Sequence, residues 1–490
     1  MSLPRQLLAA ALTFTCSAAF SCDLQVTSTA NDGAGSLRAA VTSATAGQEI
    51  CFQDLTTPAT ITLASDDIDI EKGLTITGPG RDSLTIEGGT LRVFEINAAA
   101  ETVNISGLTI ANTRASSGGA IRIAGGTVTL GAMAFDNNEA SSADGGAIEV
   151  VAGTVTINNS QFIDNYARDD AGALEINGGT VTVRNSQFED NEAARLAGGA
   201  VRIRGGGTLL VEDSSFTGNF SDEDDGGALS VESGSTATVR RSTFSDNWAY
   251  EDGGVFHIDE ARLTLDDVVV SKNYTDDDDG GAAWVGENGE LIIDNSLIEN
   301  NTAESTAGGI YLDLTGSLTL RNSTIRDNSD EGIYVDDAST ALVVSSTISG
   351  NGDQGIDAKN GSSVTVENSI IRDNSDEGIF MDDDTSLTLR NSTVSGNADQ
   401  GIELEVDATA TIVNSTISGN DDEGILLDGS RSTATVVNST ISGNVDQGIF
   451  LDGPDSSAIV EQTTIIGNDD EGILVRDRAE GVTLSRSLIG

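Results

Sequence analysis

Asn-Ser-Thr-Val-Ser-Gly-Asn-Ala-Asp-Gln-Gly-Ile (391–402), Asn-Ser-Thr-Ile-Ser-Gly-Asn-Asp-Asp-Glu-Gly-Ile (414–425) and Asn-Ser-Thr-Ile-Ser-Gly-Asn-Val-Asp-Gln-Gly-Ile (438–449) are one phrase written three times, at steps of 23 and 24 residues. Aligned on its second Asn, the phrase runs through Asn138, Asn165, Asn191, Asn219, Asn247, Asn273, Asn301, Asn328, Asn351, Asn374, Asn397, Asn420, Asn444 and Asn468. Three residues before each Asn stands a Phe, Val or Ile, from Phe135 to Ile465. Five residues before that comes a second aliphatic column, as in Leu130, Ile157, Val183 and Val436. Runs such as Thr-Val-Thr-Ile (154–157) and Ser-Leu-Thr-Leu (386–389) alternate with period two and are rich in β-branched residues, so they read as strands rather than helix. Short strands parted by turn residues and repeated at this period define a solenoid. One unit cannot bury its own apolar face, so successive coils must stack in parallel. The fold expected is all-β, a single-stranded right-handed parallel β-helix of the pectin-lyase type, with roughly sixteen coils and a length on the order of 75 Å at about 4.8 Å per coil.

The period changes at a definite place. Steps are 26 to 28 residues as far as Asn328 and 23 or 24 after it. In the long coils a Gly-Gly pair follows the Asn (Gly145-Gly146, Gly198-Gly199, Gly226-Gly227), whereas in the short coils a single Gly follows four residues later (Gly332, Gly355, Gly378). The division expected is a signal peptide at 1–21, an N-terminal cap at 22–60, long coils at 61–327 and short coils at 328–490. Within 1–21, Arg5 precedes an apolar stretch from Leu7 to Phe20, too short to span a bilayer, and Ala19 and Ser21 prepare cleavage before Cys22. No other stretch reads as a transmembrane helix. Once the leader is removed, Cys22 and Cys51 remain, and in an exported chain they are expected to form a disulfide closing a ~30-residue loop, worth about 3 kcal/mol.

Composition narrows the partners. The 490 residues carry 25 Lys and Arg against 78 Asp and Glu, a formal charge of −53, and only Lys72, Lys272 and Lys359 are lysines. That balance excludes the basic footprint of a nucleic-acid or anionic-membrane binder.

The tetrapeptides Gly-Gly-Ala-Ile (118–121, 145–148), Gly-Gly-Ala-Val (198–201) and Gly-Gly-Ala-Leu (226–229), together with Phe-x-x-Asn (135–138, 162–165, 188–191, 216–219, 244–247), resemble the repeat of the chlamydial polymorphic outer-membrane proteins. Gly-Ser-Leu-Arg-Ala-Ala (35–40) looks like the Leu-Arg-centred cap of secreted bacterial β-helix proteins. The first resemblance implies a secreted or cell-surface adhesin, associated with the outer membrane, whose partner is a carbohydrate or a surface protein.

Enzyme chemistry on such a fold would be a polysaccharide lyase or glycoside hydrolase, and its usual signatures are missing. The only histidine, His257, sits inside Phe-His-Ile and reads as a strand-flanking residue on the coil surface rather than a general base. Arginines are scattered, as in Arg202 and Arg204 or Arg240 and Arg241, with Arg262 and Arg321 the remaining candidates for a lyase base. A non-catalytic binding role is therefore the expectation.

Two sets of residues are candidates for ligands. Asp330, Asp353, Asp376, Asp399, Asp422, Asp446 and Asp470 recur once per short coil, and the position after them alternates Glu331, Gln354, Glu377, Gln400, Glu423, Gln447, Glu471. Carboxylates stacked about 5 Å apart repel by roughly 1 kcal/mol even in water. The row either caps its own turns through Asx hydrogen bonds or bridges coils as a calcium ladder. In the long coils, aromatics follow the Asn at Tyr166, Phe220, Trp248 and Tyr274, the last three in consecutive coils. Phe220, Trp248 and Tyr274, flanked by Trp284 and Tyr250, are expected to form a stripe offering ring faces to a sugar or partner. The acid runs 222–225 and 276–279 read as solvated loop charge.

Overall fold

The computed structural model describes residues 22–476 and 478–490; the expected signal peptide, 1–21, lies outside them. Its strands pair in parallel, each with the equivalent strand of the next coil. Ile157 faces Val183, Val183 faces Val211 and Val211 faces Val239. Most coils give the first sheet a strand of three or four residues and then a five-residue one, as in Ile148–Val150 and Thr154–Asn158, the two running together as one strand at Phe94–Ser106 and Ile121–Gly131. It gives the second sheet one more short strand, as in Gln161–Ile163. A third sheet of seven two-residue strands, from Arg114–Ala115 to Tyr274–Thr275, exists only in the long coils. The second sheet has eighteen strands, so the rod has eighteen coils and not sixteen. Four of these strands lack the repeat's Asn: Ala59–Thr62, Leu84–Glu87 and Thr109–Ala111 at the N-terminal end, and Leu488–Ile489 after the last Asn, Asn468. At about 4.8 Å per coil the rod is roughly 85 Å long.

The alternation read in the sequence is the in-and-out alternation of each strand. Phe135, Phe162, Phe188, Phe216 and Phe244 point inward and stack face to face, centroids 4.5 to 4.8 Å apart. Parallel in-register pairing repeats one rotamer at the coil spacing, which suits planar rings. Val270, Ile298 and Ile325 continue this column in the last long coils, and Ile348, Ile371, Val394, Ile417, Ile441 and Ile465 in the short ones, all buried.

Beside it runs the Asn column. Asn165 Nδ2 donates to Asn191 Oδ1 at 2.9 Å, and Asn165 N donates to the same oxygen at 3.2 Å. The pattern continues to Asn444 and Asn468. The second amide hydrogen distinguishes the halves. In the long coils it reaches a backbone carbonyl of the inward-pointing column in the preceding coil, as from Asn165 to Phe135 O at 3.0 Å and from Asn301 to Val270 O at 3.2 Å. From Asn328 onward Nδ2 has only the next Asn, as at Asn351 and Asn374.

At the N-terminal end, Leu37–Ser43 is a helix, and its Leu37, Ala40 and Val41 are buried. Ser36 Oγ accepts from Ala39 N at 3.2 Å, the side-chain cap that starts the helix. Arg38 donates to the carbonyls of Ser65, Asp66 and Asp67 at 2.6 to 2.8 Å, which ties the helix to the rod. Cys22 and Cys51 are joined as a disulfide with Cα atoms 6.0 Å apart. No helix of the described residues is long and apolar enough to cross a membrane.

Candidate functional site

The aromatic row lies on the third sheet. The turn after each Asn leads into a two-residue strand, whose first residue points outward. Glu192, Phe220, Trp248 and Tyr274 are successive partners in that ladder, so Tyr166 is separated from the others by Glu192. Phe220 and Trp248 stack at 5.3 Å and 2°, Trp248 and Tyr274 at 5.8 Å and 8°. Because the rings lie on one another, they present edges along the row, and the expectation of free ring faces gives way to this arrangement. Phe220 and Trp248 are half-buried and Tyr274 is 40% exposed. Trp284 does not flank the row. It sits in the first-sheet strand Ala283–Val285, beyond the Gly-Gly turn, and stacks on His257 at 4.9 Å.

His257 belongs to a column that sequence reasoning missed. The middle residue of each three-residue strand in the first sheet faces outward, and registry aligns these positions from Glu95 through Arg122, Glu149, Glu175 and Arg202. Ser230, His257, Trp284, Tyr311 and Tyr334 continue it, followed by Asp357, Phe380 and Glu403. The signal was the residue that follows Gly-Gly-x-x, a position whose chemistry changes from coil to coil. Although it faces out, much of the column is covered, because acids of the protruding loops fold over it: Asp144 meets Arg204 at 2.6 Å, Asp170 pairs with Arg202, and Asp225 meets His257 at 3.3 Å. Asp224, Asp225 and Asp279 are thus half-buried rather than freely solvated, while Asp222 and Asp276 are exposed.

Charge is concentrated in the upper part of this column. Glu175 is fully buried; its Oε1 is 2.9 Å from Arg204 Nε, but that N–H is directed to Asn177 Oδ1 and neither carboxylate oxygen accepts a hydrogen bond. Burial holds its pKa well above the ordinary carboxylate range. Asp170 is pushed up to about 7, again by burial, with Arg202 opposing. His257 is the reverse case: burial lowers its pKa, against the pull of Glu232 and Asp259. Its Nε2 faces Asp225 Oδ2 and its Nδ1 faces Ser230 Oγ, each at 3.3 Å. Both ring nitrogens are therefore engaged by protein, and the expected coil-surface histidine is instead a packed one. Farther along, Tyr311 and Tyr334 stack at 5.0 Å, and Lys359 Nζ lies 5.0 Å from the Tyr334 ring centre and 3.0 Å from Asp357 Oδ2.

The acid row of the short coils is organised in pairs of coils. Asp330, Glu331 and Asp353 bring carboxylate oxygens within 4.8 Å of one another, as do Asp376, Glu377 and Asp399. Between these groups stands a glutamine. Gln354 Nε2 donates to Asp376 Oδ2 at 3.2 Å and Glu377 Oε2 at 2.9 Å; Gln400 repeats this with Asp422 and Glu423 at 3.3 and 3.2 Å. Asp446 and Asp470 continue the row beside Gln447, whose Nε2 reaches both. The Glu/Gln alternation thus makes a two-coil unit, in place of an even ladder of one carboxylate per coil. Glu331, Glu377 and Glu423 are only 5 to 7% exposed.

Family comparison agrees with this architecture. The family described as a right handed beta helix region matches residues 92–296, 227–386, 279–417 and 331–489, overlapping stretches covering most of the chain, and the chain belongs to that family. No curated protein matches it. Among solved structures it is similar to the periplasmic alginate epimerase AlgG, at 12% identity over 90% of this chain and 84% of that one, with a TM-score of 0.35. It is also similar to a mannuronan C-5 epimerase A-module of Azotobacter vinelandii, at 13% identity, 94% and 100% coverage and a TM-score of 0.29. A PL6 family alginate lyase gives 11% identity, 92% and 98% coverage and a TM-score of 0.28. Likenesses of this strength carry no argument about activity.

Proposed function

We propose that this chain is an exported, surface-displayed β-helix protein that binds an extended carbohydrate or a partner protein and acts in adhesion rather than turnover. The observation that carries the reading is the contiguous row Phe220–Trp248–Tyr274, half-buried to exposed, on a sheet that only the long coils possess. Ring edges in a line offer apolar contact to an elongated ligand, and Asp222, Glu251 and Asp276 in the adjoining loops favour neutral or cationic ligands over uronates. Export is supported by the Cys22–Cys51 disulfide, which belongs in an oxidising compartment, and by the leader-like N-terminus. The motifs shared with the chlamydial outer-membrane adhesins support display at a cell surface.

A second reading, a polysaccharide lyase or glycoside hydrolase, draws on one observation: Arg202, His257 and Tyr311 share the covered column of the first sheet. The engagement of both His257 nitrogens weighs against it. Immobilised neutral, cationic and uronate polysaccharides, probed with the full chain and followed for unsaturated products or new reducing ends, separate the two. Retention on a neutral or cationic polymer without products is the expected result; reproducible turnover would overturn the adhesion reading.

A further inference from the structure

We propose that Asn177 is a site of spontaneous covalent modification, where the side-chain amide closes onto the Gly178 nitrogen, loses ammonia and reopens as aspartate or isoaspartate. The chain contains four Asn-Gly steps, at 177–178, 288–289, 351–352 and 360–361. Glycine is the successor that least obstructs such a ring closure, because no Cβ crowds the attacking nitrogen. Sequence alone ranks the four steps together, and the fold separates them.

The reaction needs a glycine N–H free to give up its proton and an amide carbonyl ready to take on negative charge. Three of the steps fail the first requirement. Gly289 N donates to Gly286 O at 2.8 Å, Gly352 N to Asn328 O at 2.9 Å and Gly361 N to Asp383 O at 2.8 Å. A nitrogen held in such a bond keeps its proton and cannot swing toward the side chain. Asn351 is in addition fully buried, with Oδ1 taken by the backbone and side-chain amides of Asn328. Gly178 is different. Among the described residues its N–H meets no acceptor: Asn177-Gly178-Gly179 turns the corner between strands Leu174–Ile176 and Thr180–Arg184 without a coil-to-coil bond from either glycine nitrogen. Asn177 and Gly178 are half-buried and Gly179 is exposed, so water reaches the corner.

Arg204 meets the second requirement. Its Nε donates to Asn177 Oδ1, and a guanidinium can only donate, so the carbonyl and not the NH2 faces it. Charge that develops on Oδ1 as the ring closes is stabilised where it forms. The other exposed steps lack this arrangement. Asn360 gives its Nδ2 to Asp336 Oδ1 at 2.6 Å, and Asn288 Oδ1 faces only the Thr315 hydroxyl, at 3.5 Å. In the step itself the Gly178 nitrogen loses its proton to hydroxide and bonds to Asn177 Cγ. The Cγ–Nδ2 bond breaks, and that nitrogen leaves as ammonia with a proton taken from water. Water then opens the imide, at the side-chain carbonyl to give aspartate or at the main-chain carbonyl to give isoaspartate. Either product sets a new carboxylate near Arg204, which already meets Asp144 at 2.6 Å and Glu175 at 2.9 Å. Isoaspartate also adds a methylene to the main chain at the corner.

The test is peptide mapping by mass spectrometry of the full folded chain aged at mildly alkaline pH, with isoaspartate assigned by fragmentation. Deamidation at Asn177 should outpace that at Asn288, Asn351 and Asn360 by about tenfold or more, the factor that one charge-assisted hydrogen bond supplies. Arg204→Lys keeps the charge but not the planar fork, and should slow the reaction at Asn177 by about the same factor while leaving the other three unchanged. In concentrated denaturant, where turns and coil-to-coil bonds are gone, the four steps should react at similar rates. The proposal is overturned if the folded chain deamidates at Asn288 or Asn360 as fast as at Asn177, if Arg204→Lys with wild-type circular dichroism leaves the Asn177 rate unchanged, or if Asn177 leads by the same factor in denaturant.

Discussion

The two halves of the rod share their core columns and differ by three or four residues per coil, and that small difference separates two surfaces. In the long half the residues after the Asn form a strand and a loop; the strand displays Phe220, Trp248 and Tyr274, and the loop folds acids over the first sheet. In the short half the same residues form one tight turn, ended by a glycine that lies against the next coil. At Gly378 a Cβ would come within 2.7 Å of Asn397 Nδ2 and of Gly401 O, so a larger residue would force the coils apart. With no loop to cover it, the turn's own acids line the wall in pairs of coils. Coil length, more than the identity of any one residue, decides which side chains each face of this rod displays.

The sharpest contrast between the halves lies in the core. Phe188→Ala removes a ring stacked on both sides at 4.5 Å and should cost about 3–5 kcal/mol. Ile417→Val at the equivalent short-coil position should cost only about 0.5–1.5 kcal/mol. Denaturant melts of the two variants measure the difference, and equal losses would mean that the Phe stack adds nothing to the long half.

Next comes the Asn column. Asn191→Ala leaves Asn165 N without its acceptor and removes a donor from Phe162 O, while Asn219 Oδ1 keeps the backbone N–H of residue 191; Asn397→Ala removes no donor from a carbonyl of that kind. Each stranded buried group costs about 1–3 kcal/mol, so the long-coil variant should be the less stable by about one such group. Equal stability would show that water replaces the carbonyl's partner.

Raised carboxylates occur in both halves, with Glu331 pushed up to about 8 and Glu403 to about 9 in the short one, chiefly by burial. Asp170 and Glu175 have folded pKa values raised by burial among Arg202, Arg204, Asp144 and Glu232. The folded state therefore keeps protons that the unfolded chain releases near pH 4, so this contribution is fully present below about pH 4 and is lost as pH rises through about 7 for Asp170. In chelator, wild type should melt at a lower temperature at pH 8 than at pH 5. Glu175→Gln should reduce that slope by raising the pH 8 value; an unchanged slope would mean that Arg204 fully compensates the buried charge.

Much of this was legible in the sequence because a β-helix writes its core as repeated letters. The Asn phrase gives the inner turn, the residue three before it gives the stacked column, and the step from 27 to 23 residues at Asn328 locates the change of cross-section. What was hidden lacks repeated identity. The N-terminal coils use the same alternation without Phe-x-x-Asn, so they escaped the count. The first-sheet column changes from Glu to Arg to His to Trp along its length, and only alignment on Gly-Gly reveals that these residues are neighbours. Trp284 follows Tyr274 by only ten residues, yet those ten carry the chain around a corner into the first sheet. The pairing of acids, by contrast, follows the Glu/Gln alternation that is written in the sequence.

The measurement that bears most directly on the division between the halves is ligand binding by Trp248→Ala in the full chain, compared with wild type and read together with the melting temperature. Trp248 is half-buried and its row lies outside the core, so the account predicts loss of retention on the polysaccharide or partner that wild type holds, with a stability change under about 1 kcal/mol. Retained binding, or binding lost only alongside a large fall in melting temperature, would contradict it and make the aromatic row packing rather than a recognition surface.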